Sequence, residues 1–232
     1  MSNRKITGIA AIVFAVFFNI PFSILGATYE YPDILRRPAA VALDKFAAGG
    51  SSLILTWYGF GLAALLLIPL AIALSITRER LVQHPAASIG AAIAGALAGL
   101  AQAIGLMRWV FAIPLLSASH ADPSASAEQK LMAERSFELL NAWGGVAIGE
   151  HIGQLLTALF VLLLSRMQST EGWRLTSYLG FATAALIVAG SGEGLALAMK
   201  ASGDVFSLAT IAGFMGLTLW LVGTGVHLVR GR

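Results

Sequence analysis

Four ionisable residues sit inside stretches otherwise built from Ala, Gly, Val, Ile, Leu and Phe: Arg108, Glu150, its neighbour His151, and Glu193. Ionisable groups in hydrocarbon cost several kcal/mol unless they are paired or line a cavity, so their default reading is a ligand, ion or proton site. Arg108 has the chemistry of an anion clamp, Glu150 and Glu193 that of cation or proton sites, and His151 that of a proton shuttle. Asn19, Gln102 and Gln154 add uncharged polar groups, with Gln154 and Thr157 continuing the Glu150 face at i+4 and i+7. One arginine cannot neutralise two carboxylates. The sequence therefore predicts that Arg108 pairs with Glu150 or Glu193, and that a proton, His151, a metal or a cationic substrate meets the remaining charge.

Other chemistries find less support. The chain has no cysteine, and His84, His120 and His227 are scattered over both surfaces without the i, i+4 spacing of a zinc helix or paired haem ligands. No metal site, cofactor or catalytic residue is assigned. Ser191 lies beside Glu193, but the run Gly190-Ser191-Gly192-Glu193-Gly194 lacks the strand-turn-helix setting of a nucleophile elbow. It reads instead as a flexible or partly unwound piece of span.

The elements that must hold these groups follow from composition. Of 232 residues 57% are hydrophobic and 12% charged, against about 25% charged in soluble domains. Six apolar stretches, 6–26, 53–76, 87–115, 144–164, 175–199 and 205–229, are each long enough to cross a bilayer. They lack strand alternation, so the fold class is all-α: one integral-membrane domain, a polytopic bundle of six transmembrane helices. The first stretch follows Arg4 and Lys5 like a signal peptide, but it exceeds the h-region length of about 7–15 residues and reads as a retained span. Counting from the span ends at 1.5 Å per residue, Arg108, Glu150, His151, Glu193 and Asn19 all lie roughly 9–10 Å below one membrane boundary.

Charge sorts by side. The side of the termini holds eight basic and two acidic residues, the other six basic and eight acidic, which by the positive-inside rule makes both termini cytoplasmic. The cytoplasmic loops are too short for a catalytic or nucleic-acid-binding module, and the pI near 9.5 signals no nucleic acid. Residues 27–52 and 116–143 form longer outer connections, each with a short interfacial helix. Pro38 starts the first and Gly49 ends it, with Leu43, Phe46 and Ala47 on one face. Ser126 and Gln129 have capping-box spacing in the second, ahead of Leu131, Phe137 and Leu140. Both helices are expected to cover the outer mouth. Gly145, Gly149 and Gly153, Gly95 and Gly99, and Gly190 and Gly194 form small-residue ridges that predict close contact among the third, fourth and fifth spans. Trp57, Tyr58, Trp109, Trp143, Trp173 and Tyr178 lie near span ends and read as interfacial anchors.

The segments Tyr31-Pro-Asp-Ile-Leu-Arg-Arg-Pro38, Gln102-Ala-Ile-Gly-Leu-Met-Arg108-Trp109 with Pro114, and Gly149-Glu150-His151-Ile152-Gly153 with Thr157 resemble the bacterial membrane family catalogued as domain of unknown function 4386. The resemblance spans about residues 1–165 and weakens afterwards. It implies a multi-pass bacterial inner-membrane protein, carries over no mechanism, and singles out Gln102, Arg108, Glu150 and His151. Three functions stay open. The first is binding or transport of a small polar, ionic or lipid-headgroup ligand from the outer side. The second is acid-base catalysis on a lipid or envelope substrate, and the third a structural subunit of a larger membrane complex. The expected partners are the bilayer, such a ligand, and a membrane-protein partner or second copy.

Overall fold

The structure, a computed structural model, describes residues 3–231. Among the described residues six helical units are long and apolar enough to cross a membrane: Asn3–Tyr29, Ala39–Ser75, Pro85–Ala121, Ala127–Thr170, Arg174–Ala198 and Asp204–Arg230. The first is α1, and α2 spans Ala39–Ser75. A short α3 (Arg78–Gln83) leads into α4 (Pro85–Phe111) and α5 (Ile113–Ala121), which together form the third unit. The fourth comprises α6 (Ala127–Leu140), a π-helical stretch over Asn141–Ile152, and α7 (Gly153–Thr170). The last two are α8 (Arg174–Ala198) and α9 (Asp204–Arg230).

The apolar stretches mark the spans but understate their length on the face opposite the termini, called distal below. The third unit runs to Ala121 and the fourth begins at Ala127, so both project past the apolar run as continuous helix. The capping box is present: the Ser126 side chain accepts from the Gln129 backbone, and the Gln129 side chain accepts from the Ser126 backbone. Pro38 directly precedes α2, whose interfacial first part ends at Gly50, one residue beyond the predicted stop. There φ is +58°, a conformation glycine adopts without strain, and the chain turns into the span proper.

The spans close a ring in sequence order. α1 packs on α2, α2 on α4, α4 on α7, α7 on α8, α8 on α9, and α9 returns to α1. Small residues set several of these approaches. A Cβ on Gly105 would lie 2.8 Å from Gly149 Cα, and one on Gly153 3.1 Å from the Gln102 side chain, so the Gly145-Gly149-Gly153 ridge is the seam between third and fourth spans. The other ridges are divided. Gly95 meets Phe160 and Gly194 meets Val146 and His151 of the fourth span, as expected, whereas Gly99 abuts the Ala64 carbonyl of the second span and Gly190 abuts Thr210 of the sixth. The run 190–194 is continuous helix rather than unwound, because Gly190 and Gly192 admit α9 side chains at close range.

Two apolar clusters fill the ring. One, toward the termini, packs Phe14, Leu67, Leu74, Phe160, Leu164, Ile187 and Trp220. The other, toward the distal face, joins Tyr29, Ile34, Leu43, Phe46, Trp57, Trp109, Ile113 and Phe137. Trp57 and Trp109 are fully buried there and stack at 4.8 Å, so they are not lipid-facing anchors. The interfacial part of α2 and the projecting α6 cover that end of the bundle, and rings at this depth meet protein instead of headgroups. Trp173 is also buried, against His227, whereas Tyr58, Trp143 and Tyr178 are exposed. Of the predicted interfacial apolar faces, Leu43, Phe46 and Phe137 are buried, while Ala47 and Leu131 stay exposed.

Candidate functional site

A cavity of about 300 Å³ opens inside the distal half of the ring. Its upper wall carries the polar groups Arg36, Arg108, Glu150 and Glu193, and its lower wall is apolar, with Phe14, Phe18, Leu67, Phe214, Leu217 and Leu221. Of the predicted site residues, Arg108, Glu150, Glu193, Gln102, Gln154 and Asn19 all line it. His151 does not line it: its Nδ1 donates to the Ser191 carbonyl at 2.9 Å, directing the ring at α8. The reason is helical geometry, since residues adjacent on a helix face different ways.

The predicted pairing of Arg108 with a carboxylate is not what forms. Arg36, on the short 3-10 turn Asp33–Arg36, donates Nη2 to Glu150 at 2.7 Å and Nε to Glu193 at 3.1 Å. The shared partner puts both carboxylates at one level, as the depth count expected. The cation missing from the sequence reading is thus a loop arginine, and the four charges balance when both carboxylates are ionised. Burial pulls the Arg36 guanidinium pKa down, but the two carboxylates outweigh it and hold it above its ordinary value. Burial also raises the Tyr31 phenol, reinforced by Glu150, so it remains a neutral hydroxyl.

The 3-10 turn can deliver Arg36 because the two residues before it, Ile34 and Leu35, are buried in the distal cluster. Tyr31 packs edge-on against Phe22, Trp57 and Phe60, and Asn141 donates to the Leu35 carbonyl at 3.3 Å. Tyr31, Pro32, Asp33, Leu35 and Arg36 all line the cavity, so this turn covers it. The two interfacial helices expected as lid contribute no lining residue; they pack on the outer ends of the first three spans.

Arg108 is held without a carboxylate. Nη2 donates to Asn141 Oδ1 at 2.9 Å, Nη1 to the Gly105 carbonyl, and the guanidinium lies 5.1 Å from the Trp109 ring centre. Among the described residues no carboxylate oxygen lies within 4 Å of it. Gly145 makes room, since a Cβ there would lie 2.5 Å from Nη2. The π-helical stretch supplies Asn141, Gly145, Gly149 and Glu150 from successive wide turns, a geometry frequent at functional sites. Several buried polar atoms of lining residues have no hydrogen-bond partner: Arg108 Nε, Trp57 Nε1, Trp109 Nε1, Gln154 Oε1 and Thr210 Oγ1. Deeper, Gln102 donates to Thr157 at 2.9 Å, and Asn19 donates to Thr218 at 3.1 Å.

This arrangement can hold an anionic oxygen at Arg108 and a polar group against Glu150 or Glu193, over an apolar floor. Asn141 and Arg36 were not predicted as site residues. The apolar pair Ile34-Leu35 inside a polar connection was the available signal that this loop is buried and carries Arg36 inward. In comparison with known proteins, residues 6–225 match the family described as Domain of unknown function (DUF4386). The match extends well past the segment that carried the resemblance. No curated protein and no solved structure matches the chain.

Proposed function

The chain belongs to the DUF4386 family, and from that premise and the geometry above we propose that it is a multi-pass membrane protein that binds a small polar, ionic or lipid-headgroup ligand in the distal cavity. The observation that carries this reading is Arg108, which lines a cavity with no carboxylate partner while Arg36 occupies both acidic groups. A guanidinium kept only to lock helix register would be expected to face a carboxylate, because an uncompensated buried charge is destabilising.

The family resemblance implies a bacterial inner-membrane location, and the charge distribution supports both termini cytoplasmic with the cavity outward. Transport in this arrangement requires the packed cluster of Phe14, Leu67, Phe160 and Trp220 to part. The enzyme reading loses its proton shuttle with His151 outside the cavity, and the subunit reading does not account for the cavity. Native mass spectrometry of protein released from nanodiscs tests the proposal. A discrete bound mass is expected with wild type and absent, or at least tenfold depleted, with Glu150→Gln and Arg108→Gln. Identical spectra for all three would refute it.

A further inference from the structure

The cavity carries charge only at its distal end; Asn19, Gln102, Gln154 and Thr218 line it with uncharged polar groups, and Phe14, Leu67, Leu217 and Leu221 line it without any. Along α1 its lining runs from Phe22 to Phe14, eight residues or ~12 Å of helix, and the walls at the deeper end are apolar. A small inorganic ion would use the upper end and leave this apolar depth without a role. The volume lies at the low end of the roughly 300–1,000 Å³ typical of ligand pockets, which suits one chain better than two.

The cavity also reaches the flank of the bundle. Phe22, Ile211 and Met215 line it and are nonetheless 37%, 43% and 64% exposed, on helices whose outer faces acyl chains would cover. Phe22 is on α1, and Ile211 and Met215 are on α9. Below them the same helices are held together, by the Asn19 to Thr218 hydrogen bond and by Gly8 and Gly225 approaching backbone to backbone. The exposed lining residues of the first and sixth spans therefore lie on the distal side of the Asn19–Thr218 tie, which itself lines the cavity.

We propose that the cavity takes an amphiphile with an anionic headgroup and a single apolar chain, entering sideways between the first and sixth spans, with its headgroup oxygens at Arg108 and its chain along Phe14, Phe18 and Leu217. This rests on the reading of the cavity as a ligand site. Headgroup sign follows from the partners: both carboxylates already share Arg36, whereas Arg108 has none. Carboxylate and phosphate heads share the required chemistry.

The probes are dodecanoate and lauroyl lysophosphatidate brominated at the chain end, with brominated monolauroylglycerol as the uncharged control and inorganic phosphate as the small ion. The readouts are tryptophan quenching in nanodiscs, to which Trp57 and Trp109 in the cavity wall respond, and thermal stabilisation for phosphate. Saturable quenching is expected from the anionic probes, at least tenfold weaker in Arg108→Gln. It should be slowed in Ile211→Phe/Met215→Phe, and monolauroylglycerol should not distinguish wild type from Arg108→Gln. Whichever anionic probe binds more tightly identifies the head. If Arg108→Gln fails to fold, Gly145→Ala, whose Cβ displaces the guanidinium, carries the same expectation. Arg108-dependent stabilisation by phosphate with no saturable amphiphile quenching would overturn the amphiphile and leave the ligand site standing. Unaltered entry in the double phenylalanine variant would overturn the sideways route. If no probe separates wild type from Arg108→Gln or Gly145→Ala, both this inference and the ligand-site reading fail.

Discussion

The two ends of the ring hold arginine in opposite ways. Near the termini, Arg80 is buried and bidentate to Glu171, at 2.5 and 2.7 Å, with a third bond to the Leu74 carbonyl. Its cluster of charge is local and closed, joining α3 to the turn before α8. At the distal end Arg36 is divided between two carboxylates on different spans, and Arg108 faces a cavity with an amide and a carbonyl as partners. The arginines of the two ends therefore serve different purposes: a directly paired charge fixes the bundle, and a charge without a direct carboxylate partner beside a cavity is available to something else.

The largest effect should come from breaking the closed pair. Glu171→Ala strands a buried guanidinium and should cost about 3 kcal/mol, the low end for a broken buried pair because Glu171 is partly exposed. Arg108→Gln breaks no direct ion pair, so its unfolding free energy should stay within about 1 kcal/mol of wild type. Thermal or denaturant unfolding in bilayers measures both, and equal losses would erase the distinction between the ends.

Next in size, Gly105→Leu places a side chain where a Cβ would already lie 2.8 Å from Gly149 Cα, and should cost about 1–3 kcal/mol by overpacking. It should also weaken ligand binding, since the same seam seats Arg108; an unchanged midpoint would show that this seam is loose. Arg36→Gln releases Glu150 and Glu193 toward each other and should be destabilising by about 1 kcal/mol, part of it recovered in Arg36→Gln/Glu150→Gln. Additive single effects would mean that Arg36 does not couple the carboxylates.

The smallest effect belongs to the exposed pair of Glu30 with Lys45. The hydrogen bond and charge of Lys45 hold the Glu30 carboxyl below its ordinary 4.5. A depressed carboxyl contributes stability above that value and loses it as pH falls through the folded-state pKa. A slight destabilisation by Lys45→Ala near neutrality should therefore vanish in acid below pH 4.5. A difference that persists there would assign the effect to packing.

These contrasts also explain what the sequence could disclose. Span identity is a sum over some twenty residues, so it was legible, as were the capping box at Ser126 and the seam at Gly145-Gly149-Gly153, which are local patterns. Glu150, Glu193 and Arg108 were found by the cost of placing charge among apolar residues. Their partners were not, because Arg36 meets Glu150 and Glu193 across 114 and 157 residues of chain. Sorting charges by side placed Arg36 in a loop, and loop residues were excluded from the site by construction. His151 differs for the reverse reason: it shares the depth of Glu150, but depth along a helix does not fix the direction in which a side chain points.

An experimental structure of the wild-type protein in a lipid nanodisc tests the central claim most directly, through the volume beside Arg108. Elongated non-protein density running from the guanidinium toward the gap between the first and sixth spans is the expected result. A guanidinium turned onto Glu150 or Glu193, with the cavity collapsed under apolar side chains, would contradict it.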